Sequence, residues 1–223
     1  YSDISLLTSD INISTEIHKL FEFYEDNYKT GNYRHLLVSP FSMRRKLIHF
    51  IDKEIENASK GLPSFIILKI NNLVDTEMIT KLYEASQKNV QIKLIIRGMC
   101  SLIPGIKGLS ENIEVVSIID KYLEHSRVFI FCNNKNEKYF ISSADWMNRN
   151  FDQRSEVAVP IYDQQLQKQL KTIIHLQLKD NCSARVIDQK QENLFKPKGN
   201  NKEIRAQDAV YEYLKQLKTR GRK

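Results

Sequence analysis

Glycine and proline are scarce in this chain of 223 residues, seven and five in number, which excludes collagen-like and low-complexity classes. Cysteine is scarcer still. Cys100, Cys132 and Cys182 stand in unrelated contexts with no CxxC spacing, so neither a disulfide framework nor a cysteine zinc site is indicated and three reduced thiols are expected. No run approaches the roughly 18 uninterrupted apolar residues of a membrane span, and no basic-then-apolar leader opens the chain. There is also no P-loop, no GxGxxG and no kinase-type catalytic loop, so a conventional nucleotide fold is not supported. What these absences leave is the expectation of a soluble, cytoplasmic protein.

Hydrophobic residues make up 41 % and charged residues 27 % of the chain, enough apolar content for a substantial core. The net charge of +7 is unevenly spread. Residues 1–30 hold six acids and two lysines, whereas residues 190–223 hold ten Lys or Arg and four acids. The closing run Lys215, Lys218, Arg220, Arg222 and Lys223 reads as a solvated helix end, with a nucleic-acid arm as the alternative. A case for a phosphate-bearing ligand must therefore come from residues inside the fold. The chain opens at Tyr1 rather than Met and in mid-pattern, so it is expected to be a fragment.

Ile13, Ile17, Leu20, Phe21 and Tyr24 form the stripe of an amphipathic helix over 11–25, with Ser9 or Asp10 placed to cap it. The apolar run from His35 to Val38 reads as a strand. Ser39-Pro40 then looks like an N-cap followed by proline at the first helical position. Met43, Leu47, Phe50, Ile51, Ile55 and Ala58 line the long helix that should follow, and Gly61-Leu62-Pro63 stops it. Beyond it, strands are predicted over 65–70, 90–96, 115–119, 128–131, 139–142, 157–161 and 184–187, with helices over 76–87, 164–178 and 204–218. Near-continuous apolar runs such as Phe65-Ile66-Ile67-Leu68 are what strands buried on both faces look like. The expected class is α/β, one mixed sheet flanked by helices on both faces.

In such sheets ligands sit where strands end, so polar residues that follow apolar runs are the informative ones. Asn71-Asn72 follows one strand, Arg97-Gly98 another, and Ser142-Ser143-Ala144-Asp145 a third. Arginine directly after a buried strand, beside a glycine that lets backbone approach closely, suits a phosphate held bidentately. An arginine paired with a carboxylate at the sheet end is the equal alternative. His125 and Arg127 stand two apart at the mouth of an apolar strand, so alternation puts them on one face. Imidazole beside a fixed cation suits phosphoryl chemistry, and a hydrogen-bonded structural histidine is the alternative. Arg154 precedes another strand, in a charged segment over 148–156 that reads as a surface loop or as further phosphate contacts. His18, His35, His49 and His175 show no metal-ligand spacing, so no protein-built metal site is assigned.

Six blocks in order, Tyr1–Thr8, Gly61–Asp75, Arg97-Gly98-Met99-Cys100-Ser101-Leu102-Ile103-Pro104, Tyr122-Leu123-Glu124-His125-Ser126-Arg127, Ser142-Ser143-Ala144-Asp145-Trp146-Met147 and Arg205-Ala206-Gln207, resemble the carboxy-terminal part of bacterial polyphosphate kinase. The resemblance covers essentially the whole chain. It implies a phospholipase D-like fold in which two similar halves face each other over one active site. Residues 1–33 would then be the end of the preceding half-domain and residues 34–223 the second half.

The implied activity is reversible transfer of the terminal phosphate of ATP to inorganic polyphosphate, through a phosphohistidine upstream of Tyr1 and with Mg2+ on the ATP. By position, Tyr1 is similar to the family's nucleotide-contacting tyrosine, Arg97 to the arginine on the nucleotide phosphates, and His125 to the second histidine of the site, which makes it the candidate catalytic residue and an ATP contact. Arg127 and Arg154 are candidate phosphate contacts. ATP or ADP, polyphosphate and the first half-domain are the expected partners, with homo-oligomerisation of the full-length enzyme, no nucleic acid, and a cytoplasmic location or peripheral contact with the inner membrane. The fragment alone is expected to be inactive.

Departures from the broader phospholipase D pattern of His-x-Lys, a spaced Asp and Gly-Ser-x-Asn are informative. Arg127 stands for the lysine, Cys132 falls where the aspartate belongs, and Ser142-Ser143-Ala144-Asp145 replaces the last block. A phospholipase D-like phosphodiesterase or nuclease half-domain is thus the second reading, and a basic polyanion-binding module the third.

Overall fold

The computed structural model describes residues 2–200 and 202–220. Helix α1 (Ile11–Glu25) precedes the short strand β1 (Leu37–Ser39) and the long helix α2 (Met43–Ser59). Strand β2 (Phe65–Ile70), helix α3 (Thr76–Gln87) and strands β3 (Gln91–Ile96), β4 (Ile113–Ile118), β5 (Arg127–Phe131) and β6 (Lys138–Ser142) follow. The short helix α4 (Asn148–Asp152), strand β7 (Glu156–Pro160), helix α5 (Gln164–Leu178), strand β8 (Ala184–Ile187) and helix α6 (Ala206–Arg220) complete the order.

The eight strands form one mixed sheet in the order β1-β7-β6-β5-β2-β3-β4-β8. Only β2, β3 and β4 run parallel to one another; β5, β6, β7 and β1 alternate direction on one side, and β8 is antiparallel to β4 on the other. The reversal matters because the start of β5 and the end of β6 lie beside the end of β2. Arg127 pairs with Ser142, and Lys69 with Val128.

Alternation along the central strands feeds two apolar layers. Ile66, Leu68 and Ile70 of β2 pack with Met43, Leu47 and Ile51 of α2 and with Leu82 of α3 on one face. Ile67, Val128 and Ile130 pack with Leu170 and Ile174 of α5 and Ala206 of α6 on the other. Helices thus flank the sheet on both faces, as expected. Helix α1 joins the β1/β7 end through Ile13, Leu20, Leu36 and Val38. There the buried Glu16 carboxylate accepts hydrogen bonds from the backbone N–H groups of Arg34, His35 and Leu36, donors that the sheet leaves over.

Two local expectations are corrected. Ser39 is not a helix cap: it is the last residue of β1, opposite Glu156, and the following cis proline leads into a turn, so α2 begins only at Met43. The N-cap position of α2 falls instead to Ser42, because pairing with β7 keeps Ser39 in the sheet. The segment 148–156 is likewise no simple loop, since its first five residues form α4 with Phe151 buried. Elsewhere the signals act as read. Asp10 caps α1 by accepting from Asn12 and Ile13 N–H groups, and Gly61, at φ +68°, ends α2 in a conformation that disfavours a Cβ.

Candidate active site

The loops after β2, β3 and β6 are tied into one floor. Leu73 N–H donates to the Met99 carbonyl at 2.8 Å, Ser101 N–H to the Leu73 carbonyl at 2.9 Å, and Trp146 N–H to the Asn72 carbonyl at 3.1 Å. Gly98 permits this approach. A Cβ there would sit 2.6 Å from Asn72 Oδ1 and 2.7 Å from the Asn71 carbonyl oxygen. Above the floor opens a cleft of about 720 Å3 whose lining includes Asp3, Arg97, His125, Arg127, Arg149 and Arg154.

Arg97 projects from the end of β3 and donates from Nε to Asn71 Oδ1 at 2.5 Å. The arginine ion pairs of the described residues belong to Arg44, Arg127 and Arg205. Arg97, Arg149 and Arg154 therefore bring guanidinium groups to the cleft without a carboxylate partner among the described residues. For Arg97, the carboxylate-paired alternative is not what the fold builds.

Arg127 is the paired one. Its Nε lies 3.1 Å from Asp145 Oδ1, and its Nη1 donates to both the carbonyl oxygen and Nδ1 of His125 at 2.8 Å. Guanidinium can only donate, so Nδ1 of His125 accepts and the neutral imidazole carries its proton on Nε2. Burial, then the charges of Arg127 and Arg97, hold the His125 pKa below its ordinary value, against the pull of Asp3 and Asp145. Asp145 is buried and also accepts from Asn71 N–H at 2.8 Å and Asn72 Nδ2 at 3.0 Å. Its burial alone would raise its pKa, but the hydrogen bonds from Arg127 and Asn72 outweigh that and the net shift is downward.

Behind this face lies a second ion pair. Lys69, 5 % exposed in the middle of the sheet, donates to the carbonyl and hydroxyl oxygens of Ser126 at 3.0 Å each and sits 3.6 Å from Glu124 Oε2. Glu124 also accepts from Gln177 of α5 and Gln207 of α6. The segment bearing His125 is thereby fastened to β2 and to both helices of the far layer. On its outer side Ser2 N–H donates to the Leu123 carbonyl at 2.8 Å, and His125 N–H to the Ser2 carbonyl at 3.1 Å.

Helix α4 brings Arg149 to the cleft, and Arg154, two residues past the end of the helix, lines it too. Arg44 holds this helix, with Nη2 2.7 Å from Asp152 Oδ2, Nη1 2.7 Å from Asp75 Oδ1 and its guanidinium 4.9 Å from the Phe151 ring centre.

The donor set suits phosphate better than a bare cation. The Asp145 oxygens are taken by Arg127, Asn71 and Asn72, and those of Glu156 by Ser143 and Asn150. Magnesium asks for carboxylates with unspent oxygens, and the two buried ones here do not fit that role.

Of the residues picked from sequence, Arg97, His125, Arg127 and Arg154 all line this one cleft; Tyr1 lies outside the described residues. In the sequence Asp145, Asn71 and Asn72 stand out only as polar strand ends. Their shared network spans 74 positions in sequence, and neither composition nor spacing reports such a pairing. Arg149 could have been found from its place beside Arg154.

The family model for polyphosphate kinase C-terminal domain 2 matches residues 36–207. The polyphosphate kinase of Klebsiella pneumoniae is 49 % identical over 217 residues, covering 97 % of this chain and 32 % of that protein. For the polyphosphate kinase of Escherichia coli strain K12 the identity is 48 % over the same shares. The crystal structure of polyphosphate kinase from Porphyromonas gingivalis is similar with a TM-score of 0.91 and 40 % identity, over 94 % of this chain and 32 % of that one. The chain thus spans about a third of the length of these relatives. The model matches most of the sequence, and a relative near half identity runs along nearly all of it: the chain belongs to the polyphosphate kinase C-terminal domain 2 family.

Proposed function

We propose that this chain forms one wall of the active site of a polyphosphate kinase, which reversibly moves the terminal phosphate of ATP onto inorganic polyphosphate. The observation that carries the reading is the set of three guanidinium groups without carboxylate partners among the described residues, Arg97, Arg149 and Arg154, around a histidine whose ring is fixed by Arg127. Arginines there can bind the equatorial oxygens of a transferring phosphoryl group, where charge builds in the transition state. His125, neutral with the proton on Nε2, is a hydrogen-bond donor to phosphate oxygen rather than a base. Tyr1 contributes to the nucleotide contact, and Arg127 acts through His125 more than directly.

The phosphoryl group is carried by a histidine upstream of this chain. The P–O bond to ADP breaks as the P–N bond forms, and the reverse exchange with a terminal polyphosphate oxygen completes transfer. Magnesium would enter with ATP and supply charge screening of its phosphates; Asp145 and Glu156, their oxygens already taken, would not be its ligands. The chain alone is inactive because the opposite wall is missing.

The test uses the complete reading frame that encodes this chain, with magnesium and γ-labelled ATP, counting label in acid-insoluble polymer. Wild type is expected to make polymer, while Arg97→Ala and His125→Ala lose it by at least about a hundredfold with their fold intact. Polymer formation by the 223-residue chain alone would overturn the two-wall arrangement. Phosphodiester cleavage without polymer would move the function to the phospholipase D-like reading.

A further inference from the structure

The opposite end of the sheet carries a second concentration of positive charge. Strand β2 is six residues long, so this end lies about 20 Å from the cleft. One groove, about 720 Å3, opens where β6 begins and β7 ends, and is lined by six Lys or Arg against the single carboxylate of Glu137. Another, about 1490 Å3, opens where β2, β3 and β4 begin, with six lysines against three carboxylates. Lys171 lines both.

Helix α5 runs along the pair. Lys168, Lys171, His175 and Lys179 fall at steps of three, four and four, one face of a helix, over about 16 Å of rise. Adjacent Cβ positions on such a face lie about 5–6 Å apart, within a Debye length of about 8 Å. Burial lowers the pKa of His175, and the charges of Lys171, Lys179 and Lys93 lower it further, with Glu137 opposing. Lys171 is neutralised by Glu137 at 2.5 Å and Lys93 faces Glu114 at 3.6 Å. The lysine ion pairs of the described residues include neither Lys168 nor Lys179. With Lys171 paired and His175 held toward its neutral form, Lys168 and Lys179 are the charges of this face left for a bound anion to neutralise.

We propose that these joined grooves bind a linear polyanion, inorganic polyphosphate, at a site separate from the cleft. The identity of the polymer rests on the function proposed above. Concavity favours a thread over a flat lipid surface. At the junction the Phe65 ring is covered by the Lys171 ammonium, 5.5 Å from its centre, which denies a nucleobase the open stacking face that single-stranded nucleic acid uses. A chain held there would keep a growing or shrinking polymer on the protein while its end leaves the cleft.

The test is anisotropy of labelled long-chain polyphosphate with the 223-residue chain, each variant checked by circular dichroism. Lys168→Glu/Lys179→Glu, both exposed side chains, is expected to weaken long-chain binding at least about tenfold and to flatten the salt dependence by about 1.4 in log–log slope. Binding of tripolyphosphate, short enough for the cleft alone, stays unchanged. Lys29→Glu/Lys107→Glu makes the same charge change outside the grooves and is expected to leave long-chain binding intact. Equal loss in both pairs, or loss in neither, overturns the site. Tighter binding of an oligonucleotide of equal charge, or of phosphatidylserine vesicles, overturns the assignment of its ligand. If the complete reading frame makes polymer while the groove pair binds as wild type, the groove fails and the function stands; if no polymer is made or bound, the function fails with it.

Discussion

Nη1 of Arg127 lies 2.8 Å from Nδ1 of His125, while Nε of the same guanidinium lies 3.1 Å from Asp145 Oδ1. One rigid cation thus fixes the histidine's tautomer on one side and is itself fixed by a buried carboxylate on the other. Asp145 in turn is held by the backbone and side chain of Asn71 and by Asn72. The orientation of His125 is set by the end of β2 as much as by its own segment.

Arg127→Gln is expected to raise the His125 pKa, because the nearest of the two charges that depress it is removed. A proton NMR titration of the imidazole reads this directly. The sign for stability follows: a histidine depressed below 6.5 in the folded state binds fewer protons there, so acidification through that range favours unfolding. An unmoved titration in the variant would show that Arg127 does not control His125.

Glu54 is expected to dominate the pH dependence of stability with the opposite sign. Burial pushes its carboxyl up to about 7, against hydrogen bonds from the Asn133 and Phe65 N–H groups. The folded state therefore holds this proton more tightly than the unfolded chain, and stability falls as pH rises from about 4.5 to about 7. The unfolding free energy of wild type relative to Glu54→Gln, from urea titrations, should decline across that window by an amount on the order of 3 kcal/mol. Parallel profiles would exclude Glu54 as the source.

Lys69 and Glu124 should couple. Each single neutral variant, Lys69→Met or Glu124→Gln, strands a mostly buried charge and is expected to cost about 3 kcal/mol. The double variant strands neither and should recover at least about 1 kcal/mol of the summed loss. Additive losses in urea unfolding would mean the two act independently on the His125 segment.

The architecture was legible because its signals are local. The periodic stripes of α1, α2, α3 and α5 and the apolar runs of β2 and β3 each declare themselves within a dozen residues. Arg97, His125, Arg127 and Arg154 were legible as polar groups at the ends or mouths of strands. What stayed hidden depends on pairing across the chain. Ser39-Pro40 carries a helix-start pattern, yet Glu156, more than a hundred residues on, claims Ser39 for the sheet. Lys69 reads as an interruption of an apolar strand, and only the distant Ser126 and Glu124 make its burial tolerable. The basic face of α5 is visible as spacing, but the grooves on either side of it are made by strand ends that the helix alone does not reveal.

The alternation of β5 joins correct folding to a usable site. Val128 and Ile130 point into the layer of Leu170 and Ile174, while Phe129 points the other way, its ring centre 5.8 Å from that of Trp146. A one-residue slip against β2 and β6 would drive the Arg127 guanidinium into the apolar layer and expel Phe129 from its place beside the indole. A chain in the wrong register is therefore not a folded molecule with a weakened cleft but an unfolded one. The hydrophobic layers serve as the proofreader of the polar cleft, admitting to the folded population only molecules in which Arg127, His125 and Asp145 already meet.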